Sequence, residues 1–258
     1  MDVSRLFAVD GKVALVTGGS RGIGEMLVRG LVASGVRTYL SSRSVEACEE
    51  LAEELSAAGH CVALPADLST PEGCEALAAA FGEHEDRLHV LVNNAGATWG
   101  APLGEYPAEG FDKVMDTNVR APFLLTQALL PSLEAAATSE DPGRVIMIGS
   151  IDGLVVPSFE SYAYSASKAA IHMLTRHVGK AVASRNVTVN AIAPGLFPSK
   201  MTAFLFDEHE AEVVAAIPRG RAGTPEDLVG TVIYLASRAG AYTTGAVLPV
   251  DGGYATLR

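Results

Sequence analysis

The sequence predicts an α/β protein: one doubly wound parallel sheet of about seven strands, with helices on both faces. Three observations carry this. Strand-like runs alternate with helical stretches along the whole chain, the pattern of βαβ units. The strand runs are apolar nearly throughout, as expected of strands covered on both faces. A glycine cluster follows the first run directly, which favours an open sheet over the competing (β/α)8 barrel.

The elements follow in order. Lys12 to Thr17 (KVALVT) is a β-branched run ending in glycines, and Gly22 to Ser34 has helical spacing. Val36 to Ser41 reads as a second strand, Val45 to Ala58 as a helix and Cys61 to Ala66 as a third strand. Pro71 to Phe81 is a helix with Thr70 as its cap candidate and Pro71 in the first turn. Leu88 to Val92 is a strand, and a long helix interrupted near Pro122 covers Phe111 to Ala137. Arg144 to Gly149, Val187 to Ile192 and Ala246 to Val250 complete the strands, with helices at Ser161 to Ser184 and Pro225 to Ser237 between them. No linker or repeat interrupts the chain, so residues 1–258 are expected to form one domain.

The composition fits. The 258 residues are 48 % apolar, enough for a large core. No apolar run reaches the roughly 20 residues of a membrane span, and the N-terminus has no apolar stretch of the signal-peptide kind. The net charge of −11 argues against nucleic acid and anionic membranes as partners. Cys48, Cys61 and Cys74 form no C-x-x-C pair and read as reduced structural thiols, which implies a cytoplasmic protein and no metal site.

The cluster Thr17-Gly18-Gly19-Ser20-Arg21-Gly22-Ile23-Gly24 sits between a strand and a helix. There a dinucleotide pyrophosphate can meet backbone N–H groups, and glycines permit the close approach. The second strand ends Ser41-Ser42-Arg43 without the acid that would bind a ribose 2′-hydroxyl. Arg21 and Arg43 can pair with a 2′-phosphate instead, with Ser41 and Ser42 as further donors, or all can be surface residues. Asp67, followed by Leu68, can accept from an adenine amino group or cap the next helix. Asn93-Asn94-Ala95-Gly96 ends the fourth strand, at the sheet edge where such folds bind ligands, though a plain tight turn would look the same.

Tyr164 and Lys168 stand four apart on one helical face. Carbonyl reduction needs an acid for the developing alkoxide, and the reverse reaction needs a base. Bringing a tyrosine from about 10 to about 7 requires roughly 4 kcal/mol of support for phenolate. One ammonium about 4 Å away at an effective dielectric near 20 supplies about that much. Lys168 is therefore sufficient in principle to lower Tyr164, helped by the positive nicotinamide of an oxidised dinucleotide. Ser150 closes its strand and can hold a substrate oxygen or simply be a turn residue. The surrounding Ile-Gly-Ser-Ile-Asp is not a hydrolase elbow.

Together these pieces resemble the short-chain dehydrogenase/reductase family in its compact single-domain branch. They are TGGSRGIG, NNAG, Asn118 in MDTNV, Ser150, YSASK, Ala193-Pro194-Gly195 and Asp251-Gly252-Gly253, in that order along almost the whole chain. The resemblance implies a Rossmann-type fold and NADP(H) as cofactor. It implies Tyr164 as acid/base and Ser150 as binder of the reacting oxygen. Lys168 would also hold the nicotinamide ribose, and Asn118 would link Lys168 to solvent through an ordered water. Pro194, Gly195 and Ser199 would flank the nicotinamide. It further implies a homotetramer, with a homodimer as the alternative.

Asn94 to Gly100 and Pro194 to Thr202 are similar to NADPH-dependent 3-oxoacyl reductases, in particular those linked to rhamnolipid synthesis. A lid over about 195–218 is expected. Trp99, Val155, Val156, Pro157, Phe159, Phe197, Met201, Phe204 and Leu205 suggest an apolar ketone or acyl substrate. An NAD(P)-dependent alcohol dehydrogenase acting on a small, sugar-like or steroid alcohol is the alternative. A non-catalytic NADP-binding sensor is the alternative of another class. Arg120, Arg176 and Arg185 are candidates for docking an acidic acyl carrier.

Overall fold

The computed structural model describes residues 2–199, 202 and 210–257. They form one Rossmann-like domain on a seven-stranded parallel sheet in the order β3-β2-β1-β4-β5-β6-β7. The strands are β1 (Val13–Thr17), β2 (Arg37–Ser41), β3 (Cys61–Ala63), β4 (Val90–Asn93), β5 (Gly143–Ile148), β6 (Val187–Pro194) and β7 (Val247–Val250). The helices are α1 (Val3–Leu6), α2 (Gly22–Ala33), α3 (Val45–Ser56), α4 (Pro71–Gly82), α5 (Ala108–Met115), α6 (Ala121–Ala136), α7 (Tyr162–Val182) and α8 (Pro225–Ala236).

Alternate side chains of each strand serve opposite cores, which is why no polar alternation is visible in the sequence. Ala14, Val16, Leu40, Val92 and Ile146 pack with Leu27 and Leu31 of α2, Leu51 of α3 and Val232 of α8. Val13, Leu15, Tyr39, Leu91 and Val145 face Leu77 and Phe81 of α4, Leu125 and Leu129 of α6, and Ile171 of α7. All three cysteines are buried and free.

Two expectations need correction. The third strand is shorter than Cys61 to Ala66. Beyond Ala63 the Leu64 and Ala66 N–H groups still donate to the Leu40 and Ser42 carbonyls, and Pro65 between them sits at a position of this edge strand that faces away from β2. The long helix begins at Ala108, and its break is a π turn at Asp116–Arg120 rather than a gap at Pro122. Pro122 has no N–H for the Asn118 carbonyl, and its ring crowds that oxygen. The chain widens, Ala121 N–H bonds the Asp116 carbonyl, and the helix continues as α6. This turn delivers Asn118 to the site.

Strand order reverses between β1 and β4. The crevice beyond their carboxyl ends is the place where open α/β sheets bind ligands.

Candidate active site

Four segments meet at that crevice: the loop after β1, the end of β4, the turn after β5 and the first turns of α7. Gly18 and Gly22 have positive φ, +63° and +56°, which favours glycine. A Cβ on Gly24 would lie 2.0 Å from the Gly18 carbonyl oxygen, so α2 can start against the loop only with glycine there. Arg21 at the N-cap makes no side-chain cap bond, and the first-turn N–H groups of α2 face outward with Ser20 and Ile23 beside them.

Asn94 fastens the end of β4 to this loop. Its Nδ2 donates to the Thr17 carbonyl at 2.8 Å and the Gly18 carbonyl at 3.0 Å. Thr17 Oγ1 accepts from the Asn94 and Ala95 N–H groups. The NNAG segment is thus one rigid piece with the glycine loop. From the other side, Ser199 lies against Gly22, 3.5 Å from where a Gly22 Cβ would stand. Gly195 continues β6 by donating to the Val250 carbonyl, and Asp251 crowds it so closely that a Cβ would meet the Asp251 Cα at 2.7 Å.

At the end of β2, Arg43 is exposed, as is Arg21. Ser41 is fully buried with its hydroxyl unpartnered, so it is not available as a phosphate donor. Ser42 donates its hydroxyl proton to the Ser44 carbonyl at 3.0 Å. Asp67 does not cap α4; Thr70 does, accepting from the Gly73 N–H at 3.1 Å. Asp67 accepts the Ser69 N–H at 3.0 Å, which holds its carboxyl below the usual range, with Leu68 buried beside it.

Lys168 is buried, and its Nζ donates to the Ile148 carbonyl at 2.8 Å while lying 5.4 Å from the Tyr164 ring centre. Burial pushes the Lys168 ammonium down to about 8, opposed by the Asp152 charge. Burial pushes Tyr164 up to about 12; a hydrogen bond from Ser150 opposes this and the Asp152 charge adds to it. In the chain by itself the ammonium is aimed at the Ile148 carbonyl and loss of water dominates the tyrosine; the expected lowering of Tyr164 also calls on the positive nicotinamide of the oxidised cofactor.

Ser150 caps the 3-10 turn Ile151–Gly153, accepting the Asp152 N–H at 3.1 Å. That leaves its own hydroxyl proton to donate into the crevice. The Asn118 side chain is committed elsewhere. Its Oδ1 accepts the Ala97 N–H at 2.7 Å, and its Nδ2 donates to the Ala97 carbonyl and to Ser167 Oγ, each at 2.9 Å. The side chain braces the loop after β4 against α7, so any link to Lys168 falls to its backbone carbonyl, which Pro122 cannot serve.

The expected apolar wall is only partly present. Val156 is 95 % exposed, with Leu154 and Phe159 also open. Trp99 packs its ring on Gly110 of α5. Phe197 belongs to the core: it is buried, and a Cβ on Gly223 would strike its ring at 2.3 Å. Met201, Phe204 and Leu205 lie outside the described residues. Among the described residues there is no cluster able to hold a metal and no helix long and apolar enough to cross a membrane.

Sequence reasoning missed Asp152 and His172. Asp152 carries the one charge in the apolar run Val145 to Phe159, a signal that was readable. His172, one turn beyond Lys168, is 4 % exposed, and among the described residues neither ring nitrogen makes a well-formed hydrogen bond.

The comparisons agree with this geometry. The family model for short chain dehydrogenase matches residues 12–210. The rhamnolipids biosynthesis 3-oxoacyl-[acyl-carrier-protein] reductase of Pseudomonas aeruginosa is 48 % identical over 250 residues, 96 % of this chain and 98 % of that protein. The solved Pseudomonas aeruginosa RhlG/NADP active-site complex superposes with a TM-score of 0.94 at 48 % identity, covering 97 % of this chain and 98 % of that one. Galactitol 2-dehydrogenase (L-tagatose-forming) of Cereibacter sphaeroides is 36 % identical over 258 residues, 98 % of this chain and 99 % of that protein. The chain is an oxidoreductase and belongs to the short chain dehydrogenase family.

Proposed function

We propose that this enzyme reduces a ketone to a secondary alcohol with NADPH, the ketone being carried on a 3-oxoacyl or other apolar chain. The observation that carries this reading is the meeting of Tyr164, Ser150 and Lys168 at the carboxyl edge of the sheet, beside the glycine loop. The chain's similarity to the 3-oxoacyl reductase of Pseudomonas aeruginosa supports the substrate class.

The residues present fit the cofactor. Gly18, Ser20, Gly22, Ile23 and Gly24 leave room and N–H groups for the pyrophosphate. Arg21 and Arg43 would take the 2′-phosphate, with no acid at the end of β2 to repel it. Asp67 and Leu68 lie at the adenine end. Asn94, Ala95 and Gly96 would form the floor, while Pro194, Gly195 and Ser199 would flank the nicotinamide. When bound, NADPH supplies the hydride. Ser150 donates a hydrogen bond to the carbonyl oxygen and fixes its place. Tyr164, protonated across the neutral range, gives its proton to the alkoxide oxygen. Lys168 stabilises the phenolate that remains and can return a proton to it, and Lys168 would in turn be reprotonated by a solvent water that donates to the Asn118 carbonyl.

The lid expected over about 195–218 lies partly outside the described residues, and the enzyme is proposed to be a cytoplasmic homotetramer or homodimer. Phe111, Phe123 and Met173 lie exposed on α5, α6 and α7, which supports association. Of the three arginines considered for carrier docking, Arg120 is tied to Asp116 and Arg185 to Glu134, which leaves Arg176. A second reading, oxidation of a sugar-like alcohol, is favoured by the similarity to galactitol 2-dehydrogenase. The test is a substrate panel read by NADPH and NADH absorbance. Faster reduction of β-ketoesters and aryl ketones with NADPH is expected. Preference for keto-polyols overturns the substrate class, and preference for NADH overturns the cofactor.

A further inference from the structure

The Ser150 turn carries a charge that the mechanism above does not use. Asp152 sits in the middle of the turn Ile151–Gly153, which is held at both ends. At its start, the Asp152 N–H donates to Ser150 Oγ at 3.1 Å. At its end, a Cβ on Gly153 would stand 2.6 Å from the Lys168 carbonyl carbon and 2.8 Å from the Ala169 nitrogen. The turn therefore lies directly on the backbone of α7 at Lys168, with no room to shift. Asp152 is half-buried in this turn, which joins Ser150 to the α7 backbone at Lys168.

We propose that Asp152 is a positioning residue for the proton donor: its carboxylate, carried on the turn pinned between Ser150 and the α7 backbone at Lys168, holds Tyr164 in the protonated form and sets the highest pH at which it works as an acid. The inference rests on Tyr164 being that acid.

The groups facing the site are few. Tyr164, Lys168 and His172 come from α7, Ser150 and Asp152 from the turn, and the neutral Asn118 from the π turn. His172 lies against Gly149 and Gly153, where burial keeps it neutral and pushes it down to about 4. Among the described residues, Asp152 is the one acid whose charge reaches both Tyr164 and Lys168. Its effects on the two have the same sense: an anion opposes phenolate and favours ammonium, so both keep their protons. Burial pushes the Asp152 carboxyl itself up, and Lys168 opposes that rise. The site thus contains a three-charge arrangement in which the carboxylate and the ammonium act on Tyr164 in opposite directions.

Asp152→Asn removes the charge and keeps the shape. The alkaline limb of kcat/KM for reduction, and the acidic limb for alcohol oxidation with NADP+, are both expected to move down by about one pH unit or more. The KM for NADPH and the melting temperature should stay near wild type, and Asp152→Glu should restore the limbs. Asp152→Ser, a second neutral variant, should shift them in the same direction and covers the case in which the amide does not fold. A lower rate at every pH with unmoved limbs would mean a structural role only and would overturn the proposal. If the wild type reduces no ketone, the functional reading fails separately. The inference is then read from the ultraviolet tyrosinate titration, as the band lost in Tyr164→Phe, which must titrate lower in Asp152→Asn than in wild type.

Discussion

The two ends of the sheet both bury charge, and they treat it in opposite ways. At the amino ends of the strands, Arg144 is 1 % exposed and every part of its guanidinium is engaged. It donates to the Pro142 carbonyl, to the Leu235 carbonyl at 3.3 Å and to the Ser237 carbonyl at 2.8 Å, and it pairs with Asp141. The same Asp141 takes Lys12 at 2.6 Å. Arg144 thereby closes the last carbonyls of α8. At the carboxyl ends, among the described residues, Lys168 bonds a neutral carbonyl, Tyr164 is pushed up to about 12 and His172 makes no well-formed hydrogen bond. Satisfied charges hold the fold, and under-satisfied ones are left poised to move a proton.

Matched substitutions separate the two ends. Lys168→Met should cut reduction by about a thousandfold, within the usual range for acid–base assistance, while leaving the melting temperature unchanged or higher. Steady-state rates and thermal melts check both halves. Arg144→Met should do the reverse, costing roughly 3 kcal/mol of stability because the Pro142, Leu235 and Ser237 carbonyls lose their buried donor. Rates per folded molecule should not change, as denaturant melts and assays would show.

His172 gives a pH prediction. Its folded value of about 4 lies below the ordinary 6.5. As pH falls below 6.5 the unfolded chain takes up the proton first, so stability is full above 6.5 and is lost towards 4. The loss is about 3 kcal/mol. Denaturant melts at several pH values should show His172→Leu losing less over that window than wild type, by about that amount. The smallest effect belongs to the cofactor rim: Arg43→Ala should raise the KM for NADPH about tenfold and leave that for NADH unchanged. An equal change for both cofactors would remove Arg43 from the 2′-phosphate.

The fold was legible because apolar runs of strand length alternate with helical periods, and the glycine cluster named the switch point. Motif order marked Tyr164, Lys168, Ser150 and Asn118. Their states were not legible. Whether Lys168 lowers Tyr164 depends on burial and on where Nζ points, and neither is written in a four-residue spacing. The π turn follows from Pro122, but only the packed helix shows that the strain is relieved by widening rather than by ending. Phe197 looked like substrate wall because sequence cannot tell a buried aromatic from an exposed one at a site edge. Asp152 was overlooked because a lone carboxylate acquires meaning only when Ser150 and Lys168 close on it.

The central claim is that Tyr164 is the proton donor of an NADPH-dependent ketone reductase. Initial rates of NADPH consumption with a β-ketoester, for wild type and Tyr164→Phe, test it most directly. NADPH binding is followed in parallel by its fluorescence. Unchanged binding with reduction lowered about a thousandfold or more is the expected result. Undiminished reduction by the phenylalanine variant would contradict the claim.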